Sequence, residues 1–270
     1  MTLPAPYPPL VSDGEGLDRY PSEPSALAAR MAAVYAVPAN QVLPIRGLTH
    51  GLELVWRLAV REGGSVEAPS AEPYDRLAAI YPAKGAPSVV VIRALGSPEA
   101  VAEVAARVAP ALLVVDEGLI EFSDSVSAAT VIADRSNLVV LRSLSLAHGL
   151  AGARVGAAIA QAEALGRLAS VLEPYALPEP LVRLAMQALD PSRMIETAER
   201  IASVRRERER VTRELGRQMI VETGVGPIIM VRSEDPAAAL AALKAYGVEA
   251  DQSGDRLRLP ASLKPEINDQ

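Results

Sequence analysis

The sequence predicts an α/β fold: a large domain on a mainly parallel sheet with helices on both faces, then a small α+β domain at the C-terminus. Three observations predict it. Short apolar runs alternate with amphipathic stretches from Val42 to Val171, the pattern of successive βαβ units. Glycine or proline marks most junctions, at Gly47, Gly63, Gly64, Pro69, Gly85 and Pro110, where neither helix nor strand continues easily. Beyond Glu173 the pattern changes to one long charged helix and then to short strands around a single helix.

The elements follow in order. Residues 1–21 carry Pro4, Pro6, Pro8 and Pro9 and a Gly14-Glu15-Gly16 turn, and form an extended N-terminal arm. Ser22–Val37 is a helix, because Leu27, Ala28, Met31, Ala32 and Tyr35 recur on one face. Expected strands are Val42–Ile45, Ser65–Ala68, Ser88–Ile92, Ala111–Val115, Leu138–Arg142 and Val155–Ile159. Expected helices between them are His50–Arg61, Tyr74–Ile80, Pro98–Val108 and Ala162–Val171. Trp56 shares a helix face with Leu52, Val55 and Ala59 and reads as core. His50 opens its helix, with Thr49 or the backbone as the cap. The large domain runs from 22 to 190 and closes with a proline-rich connector after Glu173 and a helix over Glu179–Leu189.

Residues 191–270 form the linking helix and small domain. The helix spans Ser192 to about Leu215, and its run Arg205-Arg206-Glu207-Arg208-Glu209-Arg210 is a solvated face. Strands follow at Met219–Glu222, Pro227–Val231, Val248–Asp251 and Arg256–Leu259, with a helix over Pro236–Tyr246. Lys264 to Gln270 is a polar tail.

Composition narrows the functional classes. Half of the 270 residues are hydrophobic and 22% are charged, which is globular composition and excludes global disorder. The net charge of −6 argues against a nucleic-acid partner, which needs a basic face. There is no cysteine, and there are two histidines, His50 and His148. Disulfides, cysteine nucleophiles and multi-histidine metal sites are therefore excluded. No apolar run reaches the ~20 residues of a membrane span, and the proline-rich start lacks a secretory pattern, so a soluble cytoplasmic protein is expected.

Two motifs can carry chemistry. Val114-Val115-Asp116-Glu117 puts an acid at the carboxyl end of a buried strand, the end at which open parallel sheets bind ligands. An aspartate there can pair with a cationic ring nitrogen. The second motif runs from Arg142 through Ser143, Ser145 and His148 to Arg154 and Gly156, with glycines at 149, 152 and 156. Hydroxyls, backbone N–H groups and a guanidinium are what a phosphate dianion needs.

Together these motifs resemble the fold-type-I pyridoxal-phosphate (PLP) aminotransferases of class I/II, in the histidinol-phosphate aminotransferase-like branch. Asp116-Glu117-Gly118-Leu119-Ile120-Glu121-Phe122 matches the family's Asp-Glu-Ala-Tyr-x-Glu-Phe, and Arg142 to Gly156 matches its Arg-Thr-Leu-Ser-Lys-Ala-Phe-Gly-Leu-Ala-Gly-Leu-Arg-Val-Gly without a gap. Weaker similarity lies at Arg19-Tyr20-Pro21, at Gly47 to Leu54, at Pro69 to Tyr74 (the family's Pro-Thr-Tyr-x-x-Tyr) and at Leu257-Arg258-Leu259.

The resemblance implies a PLP-transferase-like fold and a homodimer. It also implies Asp116 facing the pyridinium nitrogen, Ser143, Ser145 and Arg154 on the cofactor phosphate, and Arg258 on a substrate carboxylate. The reactive groups depart from the pattern. Leu146 stands at the Schiff-base lysine, Leu119 at the phenolate tyrosine and Ala71 at the ring-stacking aromatic. Arg93-Ala94-Leu95-Gly96-Ser97-Pro98 stands where the family has Pro-Asn-Asn-Pro-Thr-Gly. No catalytic residue is therefore assigned with assurance. His148, two residues beyond Leu146, is the weak candidate base.

The expectation is a degenerate or non-catalytic homologue that keeps a phosphate-type anion site. Pyridoxal 5'-phosphate or pyridoxamine phosphate would then bind non-covalently, and the other ligands in view are phosphorylated or amino-acid-like small molecules. The alternative is an active enzyme of amino-acid or cofactor biosynthesis that uses a non-lysine base.

Overall fold

The computed structural model describes residues 16–17, 20–94, 96–217, 219–222, 226–245 and 250–260. Most of the expected N-terminal arm, Arg19, the tail from Lys264, and the start of the strand expected at Val248–Asp251 lie outside the described residues. The chain divides into two compact units, one of residues 1–118 with 125–194 and one of residues 119–124 with 195–270.

The first unit holds a six-stranded sheet. Its strands are β1 (Val42–Ile45), β2 (Ser65–Glu67), β3 (Pro87–Arg93), β4 (Leu112–Asp116), β5 (Leu138–Ser143) and β6 (Gly156–Ala160), in the spatial order β1-β6-β5-β4-β3-β2. β2 to β5 are parallel neighbours. β6 runs antiparallel to both β5 and β1, so the sheet is mixed, with Asp116 at the carboxyl end of its parallel part. The loop 144–155 is built of turns and carries no helix, and parallel neighbours are usually joined through a crossover helix, so β6 returns antiparallel. Pro44 is tolerated in β1 because β1 is an edge strand.

Helices cover both faces, as expected for strands that are continuous Val/Leu/Ile runs. α1 (Ser25–Tyr35), α4 (Pro98–Val108) and α6 (Glu179–Ala188) bury residues such as Leu27, Met31, Val101 and Ala185 on one face, against Leu113, Val115, Leu138 and Val140. α2 (Gly47–Arg61), α3 (Tyr74–Ile80) and α5 (Ala162–Ala169) bury Leu52, Trp56, Tyr74 and Leu165 on the other, against Val89, Val91, Val114 and Leu141. The two apolar clusters use alternate residues of the same strands, which is the two-residue period of a pleated sheet.

Two differences from the sequence expectation concern local geometry. α2 begins at Gly47 and not at His50. Its start is fixed by the ring of His50, whose Nδ1 accepts the Arg46 N–H at 3.0 Å, so Thr49 is not the cap. Two 3-10 segments, Ile120–Phe122 and Ala128–Asp134, follow the Asp116-Glu117 motif. Segments of one or two turns are too short to show as hydrophobic periodicity.

The second unit carries most of the long helix α7 (Pro191–Leu215) and a four-stranded antiparallel sheet. Its strands are β7 (Ile220–Glu222), β8 (Ile228–Arg232), β9 (Asp251–Ser253) and β10 (Arg256–Pro260), in the order β7-β8-β10-β9, with α8 (Pro236–Ala245). Val211, Ile229, Val231, Leu243, Leu257 and Leu259 form its core. Leu119 belongs to this unit, and its methyl carbons lie against Gly226.

Candidate functional site

The two-residue period decides which strand-end side chains share a face. The pairings Arg93↔Asp116, Asp116↔Leu141 and Ser143↔Gly156 run across β3, β4, β5 and β6. Arg93, Asp116 and Ser143 therefore project at the carboxyl ends of adjacent parallel strands, on the face covered by α2 and α3. Glu117 and Arg142, one residue out of step, project to the opposite face.

There Glu117 is 1% exposed. Its carboxylate accepts the Ser127 hydroxyl at 2.6 Å and the Ala128 N–H at 2.7 Å, and it lies 3.4 Å from Arg142 Nη1. The Arg142 guanidinium also lies 4.7 Å from the centroid of the Tyr35 ring. This buried pair ties β4, β5 and the 3-10 segment after them into one block.

Asp116 is held from two sides. Oδ1 accepts the Gly118 N–H at 2.9 Å, and Oδ2 accepts the Tyr74 hydroxyl at 2.5 Å. Tyr74 is buried at the start of α3 and faces Trp56 at a ring separation of 6.5 Å. Burial, then the charge of Asp116, push the Tyr74 phenol well above its ordinary value, so it remains a donor. Each carboxylate oxygen keeps a lone pair, and a ring N–H can still be accepted at Asp116.

The candidate anion site is assembled around the start of α2. Gly47, the first helical residue, has φ +77°, a conformation glycine adopts without a Cβ penalty. A Cβ at Gly47 would come within 3.2 Å of Arg154 Nη2, so the Arg154 guanidinium lies against the helix terminus. No side chain of the N-cap residue covers the first amides of α2, and helix-start amides beside a cation form an anion site. Ser143 closes the end of β5, and its Oγ accepts the Ser145 N–H at 3.2 Å. Gly156 permits the close approach of α2: a Cβ there would meet the Arg142 carbonyl oxygen at 2.5 Å and Gly47 Cα at 3.1 Å.

A buried histidine braces the same helix start. The Nε2 of His50 lies 3.1 Å from Glu173, which also pairs with Arg46 and with Arg57. Burial holds His50 below its ordinary value, against the pull of Glu173. Burial works against ionisation of Glu173, but its backbone hydrogen bond, His50 and Arg46 outweigh it and hold the carboxyl below its ordinary range.

The sequence-predicted residues thus fall into groups. Asp116, Ser143, Ser145 and Arg154 lie on the strand ends and loop of the first unit. Leu146 lies in that loop, 40% exposed, and half-buried His148 follows it. Arg258 is exposed on β10 of the second unit, beside buried Leu257 and Leu259. Tyr74, His50 with Glu173, and Glu117 with Arg142 were not assigned site roles from sequence. Their partners lie 42, 123 and 25 residues away, and only strand parity within the Asp116-Glu117 pair hinted at them.

These residues fit a phosphate group held by Arg154, Ser143 and the α2 amides, and a ring nitrogen at Asp116. They do not fit a cofactor tied through lysine. Among the described residues of the first unit the lysine present is Lys84, in the loop that precedes β3. Arg93 at the far end of β3 is the residue beside Asp116, so Lys84 lies before the opposite, amino end of that strand, roughly 20 Å of strand away. No group of metal-ligating side chains occurs among the described residues. None of the helices there is long and apolar enough to cross a membrane.

Comparison with known proteins agrees with this architecture. Residues 95–253 match the family "Aminotransferase class I and II". The histidinol-phosphate aminotransferase of Stenotrophomonas maltophilia is 35% identical over an alignment 308 positions long, covering 96% of this chain and 84% of that protein. That alignment is longer than this chain, so the relative carries interior segments that this chain lacks. The corresponding protein of Xanthomonas campestris pv. campestris is 32% identical, with 93% and 82% covered. Among solved structures, the histidinol-phosphate aminotransferase from Sinorhizobium meliloti in complex with pyridoxal-5'-phosphate superposes with a TM-score of 0.76 at 18% identity, over 94% of this chain and 81% of that one. With its PLP-transferase fold and these relatives, the chain belongs to the class I and II aminotransferases, as a histidinol-phosphate aminotransferase-like member.

Proposed function

We propose that this chain is a degenerate, non-catalytic member of its family that keeps a phosphate-binding site and holds a PLP-type ligand without a covalent bond. What supports this reading is the run Arg142 to Gly156, whose resemblance to the family's motif puts Leu146 at the lysine, together with the placement of Lys84, the lysine of the same unit, before the amino end of β3. An amine nucleophile positioned at the ring is what the covalent step requires, and loss of a positioned base alone forfeits about 10²–10⁴ in rate.

Arg154, Ser143, Ser145 and the α2 amides would take the phosphate, and Asp116 the ring nitrogen. In the family the bound cofactor carries the amino group between substrates. Here the residues hold and orient, and Leu146 presents a hydrocarbon where a base would work. Arg258 would hold a substrate carboxylate. A homodimer in the cytoplasm completes the proposal.

The test is direct. Purified protein is incubated with pyridoxal 5'-phosphate, reduced with borohydride, and weighed intact, while pyridoxamine 5'-phosphate binding is followed by calorimetry. The expected result is reversible binding that inorganic phosphate displaces, with no stoichiometric adduct. A one-to-one adduct on a single lysine, together with amino transfer to a keto acid, would overturn the proposal.

A further inference from the structure

The strand edge that carries Asp116 also carries a second cation. Arg93 is the last residue of β3 and pairs in register with Asp116. The ladder continues one bond further, from the Ala94 N–H to the Asp116 carbonyl at 3.0 Å, so the backbone beneath Arg93 is fixed. The Arg93 guanidinium carbon lies 5.7 Å from the centroid of the Tyr74 ring, and Tyr74 donates to Asp116. Arg93 is exposed, and no carboxylate forms an ion pair with it among the described residues.

Asp116 accepts from Tyr74 and Gly118, and among the described residues it makes no ion pair with Arg93. The Arg93 guanidinium lies within hydrogen-bonding reach of the Tyr74 phenol, and a guanidinium carries five N–H donors, so the others stay available to an oxyanion. Arg93 also offsets the negative charge of Asp116, so a second anion at this edge is not repelled. The other cation, Arg154, lies beyond β5. Arg154 stands just before β6, and β4 and β5 separate β6 from β3, so the two backbones stand about 14 Å apart, a span that one small molecule can bridge between two long side chains.

From this arrangement we infer that Arg93 is a second anion anchor, and that the site takes a phosphate monoester bearing a further oxyanion. The phosphate lies toward Arg154 and the α2 amides, and the second oxyanion toward Arg93. The inference rests on the phosphate-site reading above and names its ligand class.

Two rigid probes separate the inference from that reading: phenyl phosphate, and 4-carboxyphenyl phosphate, which adds one carboxylate. Calorimetry on the whole chain is expected to show the carboxylated probe binding about tenfold tighter, the worth of one charge-assisted contact. Arg93→Gln removes that preference and leaves phenyl phosphate affinity within about twofold, which also shows that the variant is folded. Arg154→Gln weakens both probes. Equal affinity of wild type for the two probes, or a preference that survives Arg93→Gln, overturns the role of Arg93 and leaves the phosphate site standing. If neither probe binds wild type, the phosphate reading fails, and the inference fails with it.

Discussion

Replacing Glu117 by leucine removes a carboxylate that is 1% exposed and accepts from Ser127 and Ala128 while facing Arg142. Breaking a buried pair from one side costs about 3–5 kcal/mol, because the partner charge loses its compensation where water cannot replace it. The Arg142 side chain is 10% exposed, so solvent screening offers little relief. Glu117→Gln keeps an acceptor for the Ala128 N–H and should cost about half as much. The double variant Glu117→Leu, Arg142→Met removes both charges and should cost less than Glu117→Leu alone, since a buried pair exchanged for apolar groups of similar volume is often neutral. The assay is urea unfolding followed by tryptophan fluorescence. The single tryptophan, Trp56, is buried in α2 of the same unit, so the signal reports on the block that the ion pair ties together. Urea is preferred to guanidinium, which adds salt. If the two single variants lose stabilities that simply add in the double variant, Glu117 and Arg142 are not coupled, and the account of this face is wrong.

Three further outcomes follow from the same structure. Gly156→Ala would drive a methyl group into the Arg142 carbonyl and Gly47 Cα, costing about 1–3 kcal/mol and weakening phosphate binding by displacing the start of α2; unchanged phosphate affinity in calorimetry would refute that placement. His50 is held neutral by burial, so between its lowered folded value and the ordinary 6.5 the unfolded chain takes up more protons than the fold, and stability falls as pH drops below about 6.5. Glu173, lowered in the fold, adds a further loss as pH falls below its ordinary 4.5. His50→Gln should cost about 1–3 kcal/mol at pH 7.5 and flatten the fall between pH 7 and 5, whereas urea midpoints that track wild type across that range would exclude the histidine as its cause. Leu146→Lys exchanges a side chain already 40% exposed, so it should cost no more than about 1–2 kcal/mol. It should also yield a borohydride-fixed pyridoxal 5'-phosphate adduct mapped by peptide mass to residue 146; an adduct confined to Lys84, Lys244 or Lys264 would break the correspondence with the family's lysine.

Much of the fold was legible from local pattern. The strand Val42–Ile45 and the helices Tyr74–Ile80 and Pro98–Val108 have the bounds that their apolar spacing and flanking glycines or prolines predict. The antiparallel return of β6 was less legible, because direction is set by the length and path of the loop 144–155 and not by the apolar run itself. The helix start at Gly47 was missed because its cap is an imidazole reaching back to Arg46, outside the usual Ser, Thr, Asp and Asn caps.

By itself the sequence determined the alternation of strands and helices, the acid at a strand end, the glycine-rich loop after Arg142 and the absence of a lysine from that loop. All of these are properties of neighbouring residues. Only the tertiary structure decided that Tyr74 closes on Asp116, that His50 rests on Glu173, that Arg93 stands beside Asp116, and that Lys84 lies before the amino end of the strand that Arg93 closes. Those placements depend on strand register and on which face each side chain takes. A one-residue shift in pairing reverses every side chain of a strand, and nothing in a local stretch of chain specifies its register against a partner forty or a hundred residues away.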